Sequence, residues 1–295
     1  MPQKNNSNTP IVLMADLQYF PGLIGLLYSF QKNSGLNEDQ EIIIIYEQPY
    51  NQKEEEILRG FGYNVSFKDL RDLGDTAEFN LDFYDLANIG PFPWIYTWFR
   101  NTLKKLFLFR LTGFKKLIYL DVDMLVMDDI TEMFEFEPLS APREFGKEVP
   151  RPKEEFNGNY SICTGLMVLE PKEEYYQGLL KVVNENAMDA FLQSPTGDQA
   201  IVNWYFYKNH PEKIHVLSDE WGINTRMKET APEMLEKRPK IIHYLGQKPW
   251  FKTEKTDSKL DNLWWSYFIE TGFAIKGIDF ENKVRRYQTV GEDGY

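Results

Sequence analysis

Short continuous apolar runs alternate with amphipathic segments along the first part of the chain. The runs at 11–15 (IVLMA) and 41–47 (EIIIIYE) have the length and composition of buried strands, and 65–67 is a candidate third strand. Between them, 23–30 has apolar residues at helical spacing, and 52–60 is a charged helix that ends at a glycine. Strands that are apolar throughout and alternate with helices predict a parallel sheet covered on both faces.

The second part of the chain continues this alternation with less regular spacing. Residues 96–112 predict a long helix that ends at Gly113, and the apolar run at 116–120 (KLIYL) predicts the strand that follows. A further strand is predicted at 166–170, and 214–217 and 240–244 are two more short apolar segments. Further helices are predicted at 130–134, 173–191, 197–207 and 260–271. The segments predicted as irregular are a disordered start at 1–9, a proline-rich loop at 138–152 and a weakly structured tail at 278–295.

No internal repeat or low-complexity linker divides the chain. The pattern therefore predicts one α/β domain at residues 10–252, with a mostly parallel central sheet. Residues 253–295 are predicted to be a helix and tail that pack on this domain or extend from it. The aromatic-rich part of that helix, 263–268, is a candidate surface for packing, for a homodimer or for a membrane contact.

The composition narrows the class of partner. The 295 residues include 33 Lys and Arg and 45 Asp and Glu, which gives a net charge of −12. Nucleic-acid binding needs a basic surface, so we expect no nucleic-acid partner. An acidic protein can still bind a small anion through a metal ion. Cys163 is the single cysteine, which excludes an intramolecular disulfide.

The polar start of the chain (MPQKNNSNTP) lacks the apolar segment of a secretory signal. The strongest apolar runs are strand-sized and much shorter than a membrane span. We therefore expect a cytoplasmic protein, with peripheral membrane attachment left open.

Two carboxylates follow the predicted strand at 116–120. Asp121 and Asp123 are separated by one residue at a strand end, where ligands bind in open α/β sheets, and they could converge on a divalent cation. The alternative is a turn or a helix cap. Among enzymes, this arrangement is typical of haloacid-dehalogenase-like phosphatases and of nucleotide-sugar glycosyltransferases. Met124 and Leu125 follow here and a long α/β segment precedes, which disfavours the phosphatase.

Four segments together carry a family resemblance. They are KLIYLDVDMLVMDDITEMF at 116–134, SICTGLMVLEP at 161–171, TGDQAIVN at 196–203 and IIHYLGQKPW at 241–250. In this order and spacing they resemble the retaining glycosyltransferases of family 8, especially the glycogenin-like and xylan glucuronosyltransferase members. The resemblance covers about residues 10–252. It implies a GT-A fold, a UDP-sugar donor, retention at the anomeric carbon and a Mn²⁺ ion, with Mg²⁺ as an alternative.

The resemblance assigns three metal ligands, Asp121, Asp123 and His243. Two carboxylates and a neutral imidazole suit Mn²⁺. Gly246 and Lys248 are then assigned to the diphosphate, because glycine allows close backbone approach and lysine supplies a point charge. Without the family, His243 could be a core histidine and Lys248 a solvated lysine.

The resemblance also implies a donor pocket formed by several segments. The further residues assigned to it are Leu13, Ala15, Asp16, Tyr19, Lys105, Val122, Thr164 and Gly165. Tyr19 would stack on uracil. Lys105 would contact the donor, with the adjacent Lys104 as an alternative.

Asp198 and Gln199 match a pair that the family uses in catalysis. The resemblance implies that Asp198 hydrogen-bonds the donor sugar and that Gln199 lies near its anomeric carbon, although the same residues could simply begin a helix. Asn224 and Trp250 are assigned to the acceptor. Cys163 departs from the pattern, because the family usually has an asparagine there that touches the donor sugar, and this puts the sugar specificity in doubt.

The sequence thus predicts transfer of a hexose, glucose or galactose, from a UDP-sugar to a hydroxyl of a carbohydrate, a protein or a lipid-linked glycan. One alternative is a phosphohydrolase with Asp121 as nucleophile and Asp198 as a downstream acid. Another is a non-catalytic nucleotide-sugar-binding protein. Self-glycosylation would need an acceptor hydroxyl, for which Tyr205 and Tyr207 are available.

Overall fold

The computed structural model describes residues 9–80, 100–144, 161–186, 190, 197–225, 239–251 and 258–272. The predictions for residues 1–8, 96–99, 145–152 and 278–295 fall outside these ranges. Among the described residues, no helix has both the length and the apolar character needed to cross a membrane.

The described residues form a three-layer α/β arrangement. The strands are β1 (Ile11–Met14), β2 (Glu41–Tyr46), β3 (Asn64–Asp69), β4 (Leu117–Asp121), β5 (Met124–Val126), β6 (Ser140–Pro142), β7 (Leu166–Leu169), β8 (His215–Leu217), β9 (Ile223–Asn224) and β10 (Ile241–His243). The α-helices are α1 (Phe20–Asn33), α2 (Gln52–Arg59), α3 (Glu173–Lys181), α4 (Asp198–Asn209) and α5 (Lys259–Glu270).

The strands form two sheets. The larger sheet has the order β3-β2-β1-β4-β7-β6-β8, in which only β7 runs against its neighbours. The smaller sheet has the order β5-β10-β9. The predicted mostly parallel α/β sheet is confirmed.

Alternate residues of the large sheet pack into two apolar layers, one on each face, because successive side chains on a strand point to opposite faces. Ile11 and Leu13 of β1 belong to the layer that contains α1, α5 and the small sheet. Val12 belongs to the opposite layer, which contains α3 and α4. Burial on both faces explains why the β1 run is apolar throughout.

The C-terminal helix α5 is part of the first layer. Its aromatic residues Trp264, Trp265 and Phe268 are at most 1% exposed, and Trp264 stacks on Phe268 with ring centroids 5.1 Å apart. A Cβ added to Gly25 of α1 would lie 3.1 Å from the Trp264 ring, so α1 approaches α5 closely. These aromatic residues therefore pack inside the chain and do not offer a surface for a dimer or membrane contact.

Several predicted elements need correction. The described part of the helix predicted at 96–112 is mainly a 3₁₀ helix, Lys104–Arg110, and the helix predicted at 130–134 is a 3₁₀ helix, Thr131–Glu135. The helix predicted at 173–191 ends as an α-helix at Lys181 and continues with π-helical geometry. β6 lies within the predicted loop, where it pairs with β7 and β8.

Candidate active site

Strand pairing brings the three predicted metal ligands together. Asp121 is the last residue of β4, and Asp123 lies between β4 and β5. His243 is the last residue of β10 and pairs with Met124 of β5. The backbone N–H of Tyr244 donates to the carbonyl of Asp123 at 2.8 Å. The small sheet therefore carries His243 to the carboxyl end of β4.

The donor atoms of Asp121, Asp123 and His243 lie within 4.8 Å of one another. His243 Nε2 is 3.2 Å from Asp123 Oδ1 and 3.9 Å from Asp121 Oδ2. Asp123 Oδ1 is buried and has no partner with hydrogen-bond geometry among the described residues, although a buried oxygen is normally satisfied. Two carboxylates, one of which has an unsatisfied oxygen, and an imidazole form a set of ligands that fits a divalent cation such as Mn²⁺.

Electrostatics favours positive charge at this position. Burial alone would raise the pKa of Asp123, but Lys248 and His243 hold it well below its ordinary value. Burial alone would lower the pKa of His243, but Asp123 raises it to about 10. In the metal-free protein, the protonated imidazole therefore supplies part of the positive charge that a bound cation would supply.

Both oxygens of Asp121 are held by neighbouring side chains. Tyr119 Oη donates to Asp121 Oδ1 at 2.6 Å, and Lys105 Nζ donates to Asp121 Oδ2 at 2.7 Å. Lys105 also lies 3.8 Å from Asp198, whereas Lys104 pairs with Glu47. The structure thus brings Lys105, and not Lys104, to the predicted metal ligands.

Tyr119 was missed by the sequence reasoning. The available signal was its position two residues before Asp121, because residues at that spacing on a strand share a face. Burial and Asp121 together raise the pKa of Tyr119 well above its ordinary value, so the phenol stays protonated and can donate.

The predicted catalytic pair begins α4. Thr164 Oγ1 donates to Asp198 Oδ2 at 2.7 Å, and the backbone N–H of Thr164 donates to Gln199 Oε1 at 3.2 Å. Burial raises the pKa of Asp198, and the nearby Lys105 opposes this rise. Gly197 before the helix has φ +70° and lies against Thr102, where a Cβ would approach Oγ1 to 2.3 Å, so glycine is required there.

A short loop at 162–165 joins the predicted catalytic pair to the predicted metal ligands. Asn203, which the sequence reasoning missed, accepts from Ile162 N at 2.8 Å and donates to Ile162 O at 2.9 Å. At the other end, a Cβ added to Gly165 would lie 2.5 Å from His243 Cε1, so glycine lets the imidazole approach the loop. The loop is thus fixed by α4 and contacts His243.

The other predicted donor residues lie around this centre. Leu13 and Ala15 are buried at the end of β1, and Val122 is buried between the two aspartates. Tyr19 lies in a short 3₁₀ helix, Leu17–Tyr19, with its ring centroid 5.8 Å from that of Phe251. Asp16 precedes this helix, and burial raises its pKa while Lys104 opposes the rise.

The HYLGQKPW segment begins at the last residue of β10 and turns back to the predicted metal ligands. Gly246 has φ +81°, a conformation that favours glycine. Lys248 Nζ donates to Asp123 Oδ2 and to the carbonyl of Tyr244, the latter at 2.9 Å. Lys248 therefore lies directly against a predicted metal ligand.

The two predicted acceptor residues differ in environment. Asn224 on β9 is buried and pairs in register with His243. Trp250 is 4% exposed, and its ring centroid lies 5.0 Å from that of Trp264. The Trp250 ring therefore packs α5 against the domain, and its centroid lies 6.2 Å from that of Tyr19 in an edge-on arrangement.

Comparison with known proteins agrees with the fold and the motif blocks. The model of the glycosyl transferase family 8 matches residues 10–254. The chain belongs to this family. Family membership argues against the phosphohydrolase alternative.

Curated relatives match part of the chain. Glycogenin-1 of Oryctolagus cuniculus is 30% identical over 190 residues, which cover 57% of this chain and 51% of the relative. A putative UDP-glucuronate:xylan alpha-glucuronosyltransferase 3 of Arabidopsis thaliana is 31% identical over 166 residues, which cover 53% of this chain and 22% of the relative. The chain thus spans about half the length of the glycogenin relative and less of the plant one.

Solved structures share the fold. A galactosyltransferase, LgtC, in complex with donor and acceptor sugar analogues superposes with a TM-score of 0.62 at 17% identity, covering 93% of this chain and all of LgtC. The glycosyltransferase GlyE of Streptococcus pneumoniae TIGR4 superposes with a TM-score of 0.60 at 18% identity, covering 96% of this chain and 64% of GlyE. These glycosyltransferases confirm the predicted GT-A fold.

Proposed function

We propose that this protein is a retaining glycosyltransferase that moves a hexose, glucose or galactose, from a UDP-sugar to a hydroxyl of a carbohydrate, protein or lipid-linked glycan. The observation that carries the proposal is the cluster of Asp121, Asp123 and His243 at the carboxyl end of β4, beside the Asp198–Gln199 pair. The cluster would hold Mn²⁺, or Mg²⁺ in its place.

The charges of the site support a diphosphate leaving group. Asp121, Asp123 and His243 would hold Mn²⁺, which would supply Lewis-acid stabilisation of the negative charge on the diphosphate. Lys248 and Lys105 supply two further positive charges, already positioned by Asp123 and Asp121. Preorganised positive groups stabilise the charge that grows on the leaving phosphate without reorganisation during the reaction.

Asp198 and Gln199 would act on the sugar. Thr164 and Lys105 fix the carboxylate of Asp198, which can accept a hydrogen bond from a sugar hydroxyl. Gln199 is an amide and a poor nucleophile, which favours attack by the acceptor on the same face as the departing UDP. The acceptor proton then passes to the leaving phosphate oxygen.

A panel of UDP-sugars tests the activity. UDP-glucose, UDP-galactose, UDP-glucuronate and UDP-xylose are incubated with Mn²⁺, and UDP release and intact mass are measured. We expect turnover of a hexose donor that Asp121→Ala and Asp123→Ala abolish. Asp128→Ala is the matched control, because Asp128 is an exposed carboxylate of the same segment outside the cluster. Full Mn²⁺-dependent turnover by Asp123→Ala would contradict the proposal, and UDP binding without turnover would indicate a binding protein.

A further inference from the structure

The imidazole of His243 has a different neighbour at each nitrogen. Nε2 faces the carboxylates, 3.2 Å from Asp123 Oδ1, which is otherwise unsatisfied in a residue that is only 7% exposed. Nδ1 lies 3.9 Å from the sulfur of Cys163, within the range of a hydrogen bond to sulfur. The Cys163 thiol therefore lies behind the ring, on the side away from Asp123.

The 162–165 loop holds Cys163 in this position. The backbone N–H of Cys163 donates to the carbonyl of Pro142 at 2.8 Å, and Asn203 binds both backbone groups of the preceding Ile162. At the other end of this loop, Gly165 lies directly against the His243 ring, where a Cβ would come within 2.5 Å of Cε1. The imidazole thus contacts a fixed thiol and a fixed backbone.

We infer that Cys163 is a positioning residue for His243, an inference that rests on the proposed metal-dependent function. A histidine that binds a metal through Nε2 carries its proton on Nδ1 and donates it to a group behind the ring. Here Nδ1–H donates to the Cys163 sulfur, which fixes the tautomer and the ring orientation. Cys163 thus supports the metal site in this chain, at the position where sequence comparison leads us to expect an asparagine that touches the sugar.

Metal affinity measured without a donor tests the inference. Mn²⁺ binding is followed by electron paramagnetic resonance of the free ion or by calorimetry, for the unmodified chain and for Cys163→Ala and Cys163→Ser. Removing such a supporting partner weakens metal binding by about 10- to 100-fold. Because sulfur is a weak hydrogen-bond acceptor, we expect Cys163→Ala to weaken Mn²⁺ binding by about tenfold, at the lower end of this range. Cys163→Ser keeps an acceptor and should lose less.

Ser161→Ala is the matched control. Ser161 lies two residues earlier in the same segment, and its buried hydroxyl has no hydrogen-bond partner in the part of the chain that the structure describes. The Ser161→Ala variant should bind Mn²⁺ with the affinity of the unmodified chain. Thermal unfolding of each variant in EDTA separates lost metal affinity from lost folding.

Alkylation gives a second readout, because Cys163 is the single cysteine of the chain. Iodoacetamide forms a sulfur–carbon bond and releases iodide, and the thiol proton passes to the buffer. We expect saturating Mn²⁺ to change the alkylation rate, followed by intact mass, and we expect the alkylated protein to bind Mn²⁺ more weakly.

Two results distinguish a failure of the proposed role of Cys163 from a failure of the proposed metal centre. Wild-type Mn²⁺ affinity in Cys163→Ala, together with an alkylation rate that Mn²⁺ does not alter, would overturn the role of Cys163 and leave the metal centre standing. No Mn²⁺ binding by the unmodified chain would overturn both the metal centre and the role of Cys163.

Discussion

At the scale of single residues, one hydroxyl group orients a predicted metal ligand. The Tyr119 phenol donates to Asp121 Oδ1 in a buried setting, where a hydrogen bond to a charged group contributes about 1.5–3 kcal/mol. Tyr119→Phe removes this one contact and keeps the ring. We expect lower stability and about tenfold weaker Mn²⁺ binding, because Asp121 loses a group that holds its orientation.

Tyr176→Phe is a closely matched control for this prediction. Tyr176 on α3 is buried in the same apolar layer as Tyr119, and its hydroxyl donates to Glu78 Oε2 at 2.9 Å. Both variants lose a tyrosine–carboxylate hydrogen bond, and both should unfold at lower urea concentration. Only Tyr119→Phe should weaken Mn²⁺ binding, so equal Mn²⁺ affinities in the two variants would contradict the role of Tyr119.

Two adjacent lysines offer a second comparison at this scale. Lys105 contacts Asp121 and Asp198, whereas Lys104 pairs with Glu47. Burial alone would lower the pKa of Lys105, but the two aspartates raise it above its ordinary value, so the ammonium stays charged. We expect Lys105→Gln to lower kcat for UDP release by about 100-fold, the cost of removing one preorganised donor.

Lys104→Gln is the control, with kcat close to that of the wild type. The two variants are compared by UDP release at saturating UDP-sugar, with circular dichroism to check folding. If Lys104→Gln lost more activity than Lys105→Gln, the assignment of the donor lysine would be wrong.

At the scale of elements, α5 is attached to α1 by a polar cluster at its end. Lys32 Nζ and Tyr28 Oη both donate to Glu270 Oε2, at 2.7 and 2.8 Å. Partial burial would raise the pKa of Glu270, but Lys32 and Tyr28 lower it below its ordinary value of 4.5. A lowered pKa means that this carboxylate stabilises the fold above about pH 4.5 and loses that contribution as the pH falls through the folded value.

Glu270→Gln should therefore destabilise the protein at neutral pH only. The side chain is exposed enough for solvent screening, so we expect a loss of about 0.2–1 kcal/mol at pH 7 and a smaller difference from the wild type at about pH 3, below the ordinary pKa. Urea unfolding at the two pH values measures the difference, and hydrogen exchange of the α5 amides locates it. Glu55→Gln is the control, because Glu55 contacts Arg59 within α2 and does not join two elements.

The elements also show what the sequence can predict. β1, β2 and β4 are buried on both faces, and their apolar runs were long enough to predict them. β5, β9 and β10 have two or three residues each and form a sheet of their own, which no periodicity over so few residues can indicate.

Some residues of the candidate site could be predicted from the sequence, and others could not. Asp121 and Asp123 were predicted from the end of an apolar run, and His243 from a motif. The contact of Asn203 with Ile162 was not predicted, because it joins segments 41 residues apart along the chain. The contact of Tyr119 with Asp121 was missed although the two residues share a strand. Sequence patterns therefore indicated the predicted metal ligands, whereas the groups that hold these residues were identified from the fold.

At the scale of the whole molecule, part of the net charge of −12 is concentrated at the candidate site. Asp121, Asp123 and Asp198 lie close together, and their partners are Lys105, Lys248 and His243. A protein that concentrates buried acids in this way should be stabilised by a cation that binds the folded state alone. Binding at a concentration 100 times Kd contributes about 2.7 kcal/mol to the free energy of unfolding.

We therefore expect Mn²⁺ to raise the Tm of this protein by several degrees, since about 1 kcal/mol corresponds to roughly 2–4 °C at this size. EDTA should reverse the rise. Asp123→Asn should remove it, because the variant replaces the carboxylate whose Oδ1 lacks a hydrogen-bond partner, whereas Asp128→Asn should keep it. Differential scanning calorimetry measures the shift, and an equal Mn²⁺ response in Asp123→Asn and Asp128→Asn would place the cation elsewhere on the acidic surface.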